Sequence, residues 1–174
     1  MTVIQAADEA VPRDAKKPLM THPIPSPDEL VQRARDLLPR LRDGQAAAEE
    51  RGRHSEDLHQ AFVDAGFYHI LVPQRFGGFG YGLEEFFRVG VEISRGDPGV
   101  GWNYVLGAGH TFHLCSFFPE RAQEELLGGG ALFVAPMRQA PPRPARAVDG
   151  GYVLSATWDY CSGYNNKHNQ MNIH

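Results

Sequence analysis

LEEFFRVGVEISRGDPGVGWNYVLGAGHTFHLCSFF, residues 83–118, contains two apolar helical stretches separated by one dipeptide, Asp97-Pro98. An aspartate side chain can accept hydrogen bonds from the free amides of a helix start, and proline suits the first helical position because its missing N–H is not needed there. The dipeptide therefore predicts the end of one helix and the start of the next. The first runs from about Leu83 to Ser94 and carries Phe86, Phe87, Val89, Val91 and Ile93 around much of its circumference, which predicts deep packing. The second contains Gly99, Gly101, Gly107, Ala108 and Gly109. Glycine costs helix stability, so the smallness of these residues should serve the close approach of another helix or a ligand.

Working outward, Ser26, Pro27 and Glu29 form a capping box that opens an earlier helix. Leu30, Ala34, Leu37, Leu38 and Leu41 recur at helical spacing, and Pro39 should kink or divide the segment before it reaches Gly52. A further helix opens at Ser55, aligns Leu58, Phe62 and Ala65, and closes at Gly66. Residues 67–72 read as a buried extended piece, followed by a loop carrying Gly77, Gly78, Gly80 and Gly82. After the quoted stretch, PERAQEELLGG is a short helix starting at Pro119. From Ala131 the pattern changes: ALFVAP reads as a strand and MRQAPPRPA as an irregular connection. A hairpin follows, with Asp149-Gly150-Gly151 at its turn and Tyr152, Leu154, Ala156 and Trp158 along one face.

Helices first and strands second give an α+β class. The expected organisation is a mobile leader over 1–25, a helical domain over 26–130, the start of an incomplete β-domain over 131–163, and an unmatched tail over 164–174. The Asn-rich tail has no core-forming pattern and reads as foreign or frameshifted sequence.

Composition narrows the function classes. Of 174 residues, 42% are hydrophobic, enough for a folded core, and a net charge of -4 with pI near 6.0 offers no footprint for nucleic acid. No apolar run is long enough for a membrane span and the start lacks the apolar centre of a secretory signal, so no membrane is involved and the cytoplasm is the expected location. Cys115 and Cys161 do not suggest a disulfide framework or a zinc site.

Three motifs could carry chemistry. FGGFGYG lies between an apolar segment and a helix, but its spacing fails the dinucleotide fingerprint, since the third glycine would fall on Leu83. GHTFHL sets His110 three residues before His113, a weak metal pair with no third ligand; no metal is expected. His110 alone either faces a cavity opened by the small residues or is a packed, hydrogen-bonded core histidine. WDYCSG ends a strand with Trp158, which can pack on a planar ring, Ser162, which can give one hydrogen bond, and Gly163, which admits a close backbone. A core tryptophan with an ordinary Ser-Gly turn is the alternative.

Taken in order, VPQRFGGFGYGLEEFFRVGVEISRGDPGVGWNYVLGAGHTFHLCSFFPERAQEELLGG and VDGGYVLSATWDYCSG resemble the amino-terminal part of the acyl-CoA dehydrogenase superfamily. More narrowly they look like the two-component flavin-dependent aromatic monooxygenases, such as the oxygenases of para-hydroxyphenylacetate, over about residues 26–163. The 131–145 region lacks the Gly-Ser-Asp of the dehydrogenases, and Trp158 stands where their lysine would be. Ala156 departs from the usual glycine. The resemblance implies a helical amino-terminal domain, a central β-domain and a carboxy-terminal bundle. It also implies reduced flavin (FMN or FAD), O2, a small phenolic or aromatic substrate, a separate flavin reductase and a homotetramer. Ser162 would then donate to the flavin N5 edge, Trp158 and Gly163 would line the flavin pocket, and His110 would face the substrate. An acyl-CoA-oxidising FAD enzyme of the same fold and a non-catalytic fragment are the alternatives.

Overall fold

A computed structural model describes residues 2–5, 23–138, 145–155, 157, 162 and 171–172. Its helical part begins at the predicted capping box. The Ser26 hydroxyl accepts from the Glu29 amide at 3.3 Å, and the Glu29 carboxylate accepts from the Ser26 amide at 2.6 Å. These bonds start α1 (Pro27–Asp36), and α2 (Leu38–Arg51) follows after a break at Leu37. Pro39 lies in the first turn of α2, where the amide it lacks would have had no partner; it divides the segment rather than kinking it. The Ser55 hydroxyl caps α3 (Glu56–Asp64), and Gly66, at φ 80°, turns the chain out of that helix.

Residues 67–72 are buried as expected but are not extended. A short 3-10 turn, Phe67–His69, and the bends after it replace the predicted extended piece, and a second 3-10 turn, Gln74–Phe76, leads into the glycine loop. The glycine loop explains the difference, because it folds back to satisfy the buried backbone: the Phe79, Gly80 and Tyr81 amides donate to the carbonyls of His69, Val72 and Ile70, each at 2.9 Å. A Cβ on Gly78 would lie 2.0 Å from the Val72 carbonyl oxygen. The smallness of that glycine is thus spent on the protein's own backbone and leaves no cradle for a phosphate.

α4 (Leu83–Gly96) and α5 (Pro98–Phe117) are joined by Asp97, as the dipeptide predicted. α4 packs along α5 on one side and on α1 and α2 on another. Glycine makes the α4–α5 approach close: a Cβ on Gly101 would meet the Ser94 hydroxyl at 2.1 Å, and one on Gly90 would meet Val105 at 2.8 Å. Phe62, Phe67, Phe86 and Tyr104 form the aromatic centre of the core, and the Tyr104 hydroxyl donates to the Phe67 carbonyl at 3.1 Å. Glu92 is also buried, held by Arg35 from α1 at 2.9 Å and by Arg95 at 3.1 Å. The deep packing expected of α4 holds for Phe86, Val89 and Ile93 but not on one face, where Phe87 and Val91 are 47% and 59% exposed.

α6 (Glu120–Leu127) crosses the end of α5, and its buried Gln123 donates to the carbonyls of Cys115 and Phe118. Residues 131–136, predicted as a strand, pair with no strand among the described residues. They run along α5, where the Ala135 amide donates to the Gly107 carbonyl at 3.0 Å. Met137–Arg138 (β2) pairs in parallel with Met171–Asn172 (β5), so two residues of the tail enter a ladder. The predicted hairpin is present as Arg146–Val148 (β3) and Gly151–Leu154 (β4). Its turn is the two-residue Asp149-Gly150, and Gly151 opposes Val148 within the ladder. Gly150 has the positive φ, 74°, that such a turn requires. Thr2–Gln5 (β1), inside the stretch expected to be a mobile leader, pairs antiparallel with β4. No helix among the described residues is long and apolar enough to cross a membrane.

The glycine contacts generate a paired test. Gly101→Ala should destabilise the chain by roughly 1–3 kcal/mol through overpacking at the α4–α5 contact. Gly44→Ala, inside α2 with open space around it, should stabilise by about 0.5–1 kcal/mol. Urea unfolding of the two variants followed by circular dichroism checks both signs.

Candidate active site on helix α5

His110 lies on α5, one turn beyond Gly107, and is 6% exposed. Its Nδ1 is 2.5 Å from the Ala135 carbonyl oxygen. A carbonyl can only accept, so Nδ1 carries the proton and donates, and Nε2 of the neutral ring keeps its lone pair. The next residue secures the same strip of chain: the Thr111 hydroxyl donates to the Phe133 carbonyl at 3.3 Å. Residues 131–136 therefore serve as a backbone template that fixes the tautomer and plane of His110. The sequence did not reveal this arrangement. The only available signal was an uncharged apolar run, which marks burial without specifying a helix as the partner.

The surroundings of His110 match the packed, hydrogen-bonded reading. The ring is hydrogen-bonded and buried, as a core histidine would be, but only one of its nitrogens is committed. Burial pushes its pKa below the ordinary histidine value; the Ala135 hydrogen bond opposes that shift and nearby His113 adds to it. His110 and His113 meet edge-on with ring centroids 5.6 Å apart, and Phe112 and Phe117 flank His113 at 6.2 and 5.8 Å. Among the described residues no group of three or more metal-ligating side chains exists. Cys115, nearby, is a neutral thiol whose pKa is raised by burial against the opposing charge of Arg75.

The small residues of α5 serve protein packing more than a ligand. A Cβ on Gly107 would touch Val134 at 3.1 Å, and one on Gly109 would touch Phe86 at 3.4 Å. A cleft of about 410 Å³ opens at the other end of α5, lined by Gln45, Glu49, Arg53, His54, Asp97 and Asn103 among others. There the Asp97 carboxylate already takes the first helix amides. Ser162 is half-buried in a turn, whereas Trp158 and Gly163 lie outside the described residues. Among those residues no hydrogen bond joins Ser162 to His110.

Comparison with known proteins agrees with this architecture. The family described as acyl-CoA dehydrogenase, N-terminal domain, matches residues 26–128. The oxygenase subunit HsaA of a flavin-dependent monooxygenase from Mycobacterium tuberculosis is 32% identical over 74% of this chain and 32% of its own length. The oxygenase component of an FADH2-dependent resorcinol hydroxylase from Rhizobium sp. is 31% identical over 79% of this chain and 33% of its own. The crystal structure of the M. tuberculosis HsaA monooxygenase superposes with a TM-score of 0.72 at 29% identity, covering 80% of this chain and 38% of that one. XiaF from Streptomyces sp., solved with FADH2 and glycerol, gives 0.70 at 25% identity, over 77% and 34%. The chain spans about a third of the length of the curated relatives it matches. From the Ser26 cap to the end of α6, motif, backbone and family coincide, and the chain belongs to the acyl-CoA dehydrogenase superfamily through its N-terminal helical domain.

Proposed function

We propose that this chain carries the substrate-side helix of a flavin-dependent monooxygenase that hydroxylates a phenolic substrate with O2, its reduced flavin delivered by a separate reductase. The observation that carries the reading is the tautomer of His110: Nδ1 is fixed on the Ala135 carbonyl, leaving Nε2 as a buried-ring acceptor. Relatives named as oxygenase subunits and components support it.

A phenol, with a pKa near 10, is a weak nucleophile at neutral pH. Its ring becomes electron-rich as the hydroxyl proton leaves. His110 is arranged to accept that proton: the phenol O–H donates to Nε2, the proton transfers, and the resulting imidazolium keeps its Nδ1–H on Ala135. Burial keeps the ring neutral until the substrate is present, so the acceptor is available.

Bound reduced flavin would supply the oxygen activation. Trp158, Ser162 and Gly163 are the residues proposed to hold it; a hydroxyl in a half-buried turn, as at Ser162, suits a donor to a heterocyclic nitrogen. The glycine loop is not part of that site, because the space at Gly78 and Gly80 is filled by Val72 and Gln74.

The test is to combine the purified chain with a flavin reductase, NADH, flavin and a simple phenol, with chromatography for the hydroxylated product. Product is expected. His110→Phe should lower its rate by about 10²- to 10⁴-fold while flavin fluorescence quenching by the chain stays unchanged. Ser162→Ala should divert turnover to hydrogen peroxide. Absence of both product and quenching overturns the reading.

A pH profile follows from the direction of the His110 shift. Because neutral His110 is the active form and its pKa is lowered, kcat/KM should fall with decreasing pH around a midpoint below 6.5, the ordinary histidine value. A fall centred above that value would contradict the assignment.

A further inference from the structure

His113 has the opposite hydrogen-bonding environment to His110. Its Nδ1 is sealed from solvent with no hydrogen-bond partner, whereas Nε2 is not sealed. A buried N–H without an acceptor costs more than a buried lone pair without a donor, because the N–H is the more rarely tolerated orphan. The proton of neutral His113 therefore belongs on Nε2.

The two imidazoles are thus complementary. His110 offers a lone pair at Nε2, and His113 offers an N–H at Nε2. They are three residues apart on one helix, with ring centroids separated by 5.6 Å. One oxygen that donates to the first and accepts from the second needs nitrogens at most about 6 Å apart, since each hydrogen bond is about 2.7–3.2 Å. A hydroxyl is the small group that does both at once. Phe112 and Phe117, 40% and 73% exposed, flank His113 with apolar surface suited to an aromatic ring.

We propose that His113 is a second substrate-contacting residue, whose Nε2–H donates to the same phenol oxygen whose proton His110 accepts. As the O–H bond breaks and the new N–H bond forms on His110, the electron pair left on oxygen is stabilised by the hydrogen bond from His113. The proposal rests on the phenol reading of His110 and adds a donor to that acceptor.

The test uses the full chain labelled with 15N in its histidines, observed by long-range 1H–15N NMR, with 4-nitrophenol as probe. Without probe, His113 should be the Nε2–H tautomer and His110 the Nδ1–H tautomer. Saturating probe should shift the Nε2 resonances of both rings. His113→Phe should weaken probe binding about tenfold, the loss expected for one hydrogen bond to a charge-bearing oxygen. His113→Gln, whose amide can still donate, should recover most of that loss. An Nδ1–H tautomer at His113, or a probe response confined to His110, overturns the proposal and leaves the proposed function standing. If neither ring responds, the phenol site at His110 falls as well. The tautomers are measured in the unmodified chain, so the outcome does not depend on the variants folding.

Discussion

The Asp97 carboxylate accepts hydrogen bonds from the Gly99 and Val100 amides at 2.8 and 3.1 Å, while its own amide donates to the Ile93 carbonyl at 3.0 Å. One residue thereby terminates α4 and starts α5. A cap of this kind contributes only about 1 kcal/mol, but it sets where the two longest apolar helices meet. Once the reversal is fixed, Gly90 must face Val105 and Gly101 must face Ser94, because only glycine fits at those crossings. The register then places Tyr104 among Phe62, Phe67 and Phe86, and places His110 two turns further along the same buried helix. A larger side chain at either crossing would separate α5 from α4 and shift the histidine with it.

A buried helix carries polar side chains only where something satisfies them, and α5 is satisfied by backbone. Tyr104 donates to Phe67, Thr111 to Phe133 and His110 to Ala135. The Phe133 and Ala135 carbonyls belong to an irregular strip with no ladder or helix to consume the oxygen, and the Phe67 carbonyl lies at the start of a short 3-10 turn. The turn at 67–72 and the strip at 131–136 therefore do more than connect elements; they supply acceptors to α5. That role accounts for the failure of the strand prediction at 131–136. ALFVAP has the composition of a strand, but its nearest neighbour is a helix side, so its hydrogen bonds are divided among α5 groups instead of forming a ladder.

The parts of the fold legible in the sequence were those fixed by local chemistry. Ser26, Ser55 and Asp97 cap helices as their residue types require, Gly66 ends α3 with positive φ, and Asp149-Gly150 turns a hairpin. The parts that escaped depend on what lies opposite. Phe67–Val72 looked extended because apolar runs give no sign of a glycine loop folding back on them, and the pairing of Thr2–Gln5 with β4 spans most of the chain. For the site, the sequence could nominate His110 but could not orient it. Orientation came from Ala135, twenty-five residues away, and the environment of His113 is invisible to spacing because an unpartnered nitrogen leaves no motif.

The same geometry separates the two faces of the α4–α5 pair. Inward, Phe86, Val89, Ile93 and Tyr104 are nearly inaccessible; outward, Phe87, Val91 and Trp102 are 47%, 59% and 61% exposed. Burying an aromatic or branched side chain of this size is worth about 1.5–3 kcal/mol, so the outward face holds burial energy that the described residues leave unused. The inward face, by contrast, is already closed, down to contacts that exclude a single methyl group. Chemistry at His110 therefore depends on a core that cannot be repacked locally. The ring can be tuned by what lies against Nε2 and by its neighbour His113, but not by movement of α5 itself, whose small residues are locked against Ser94, Phe86 and Val134.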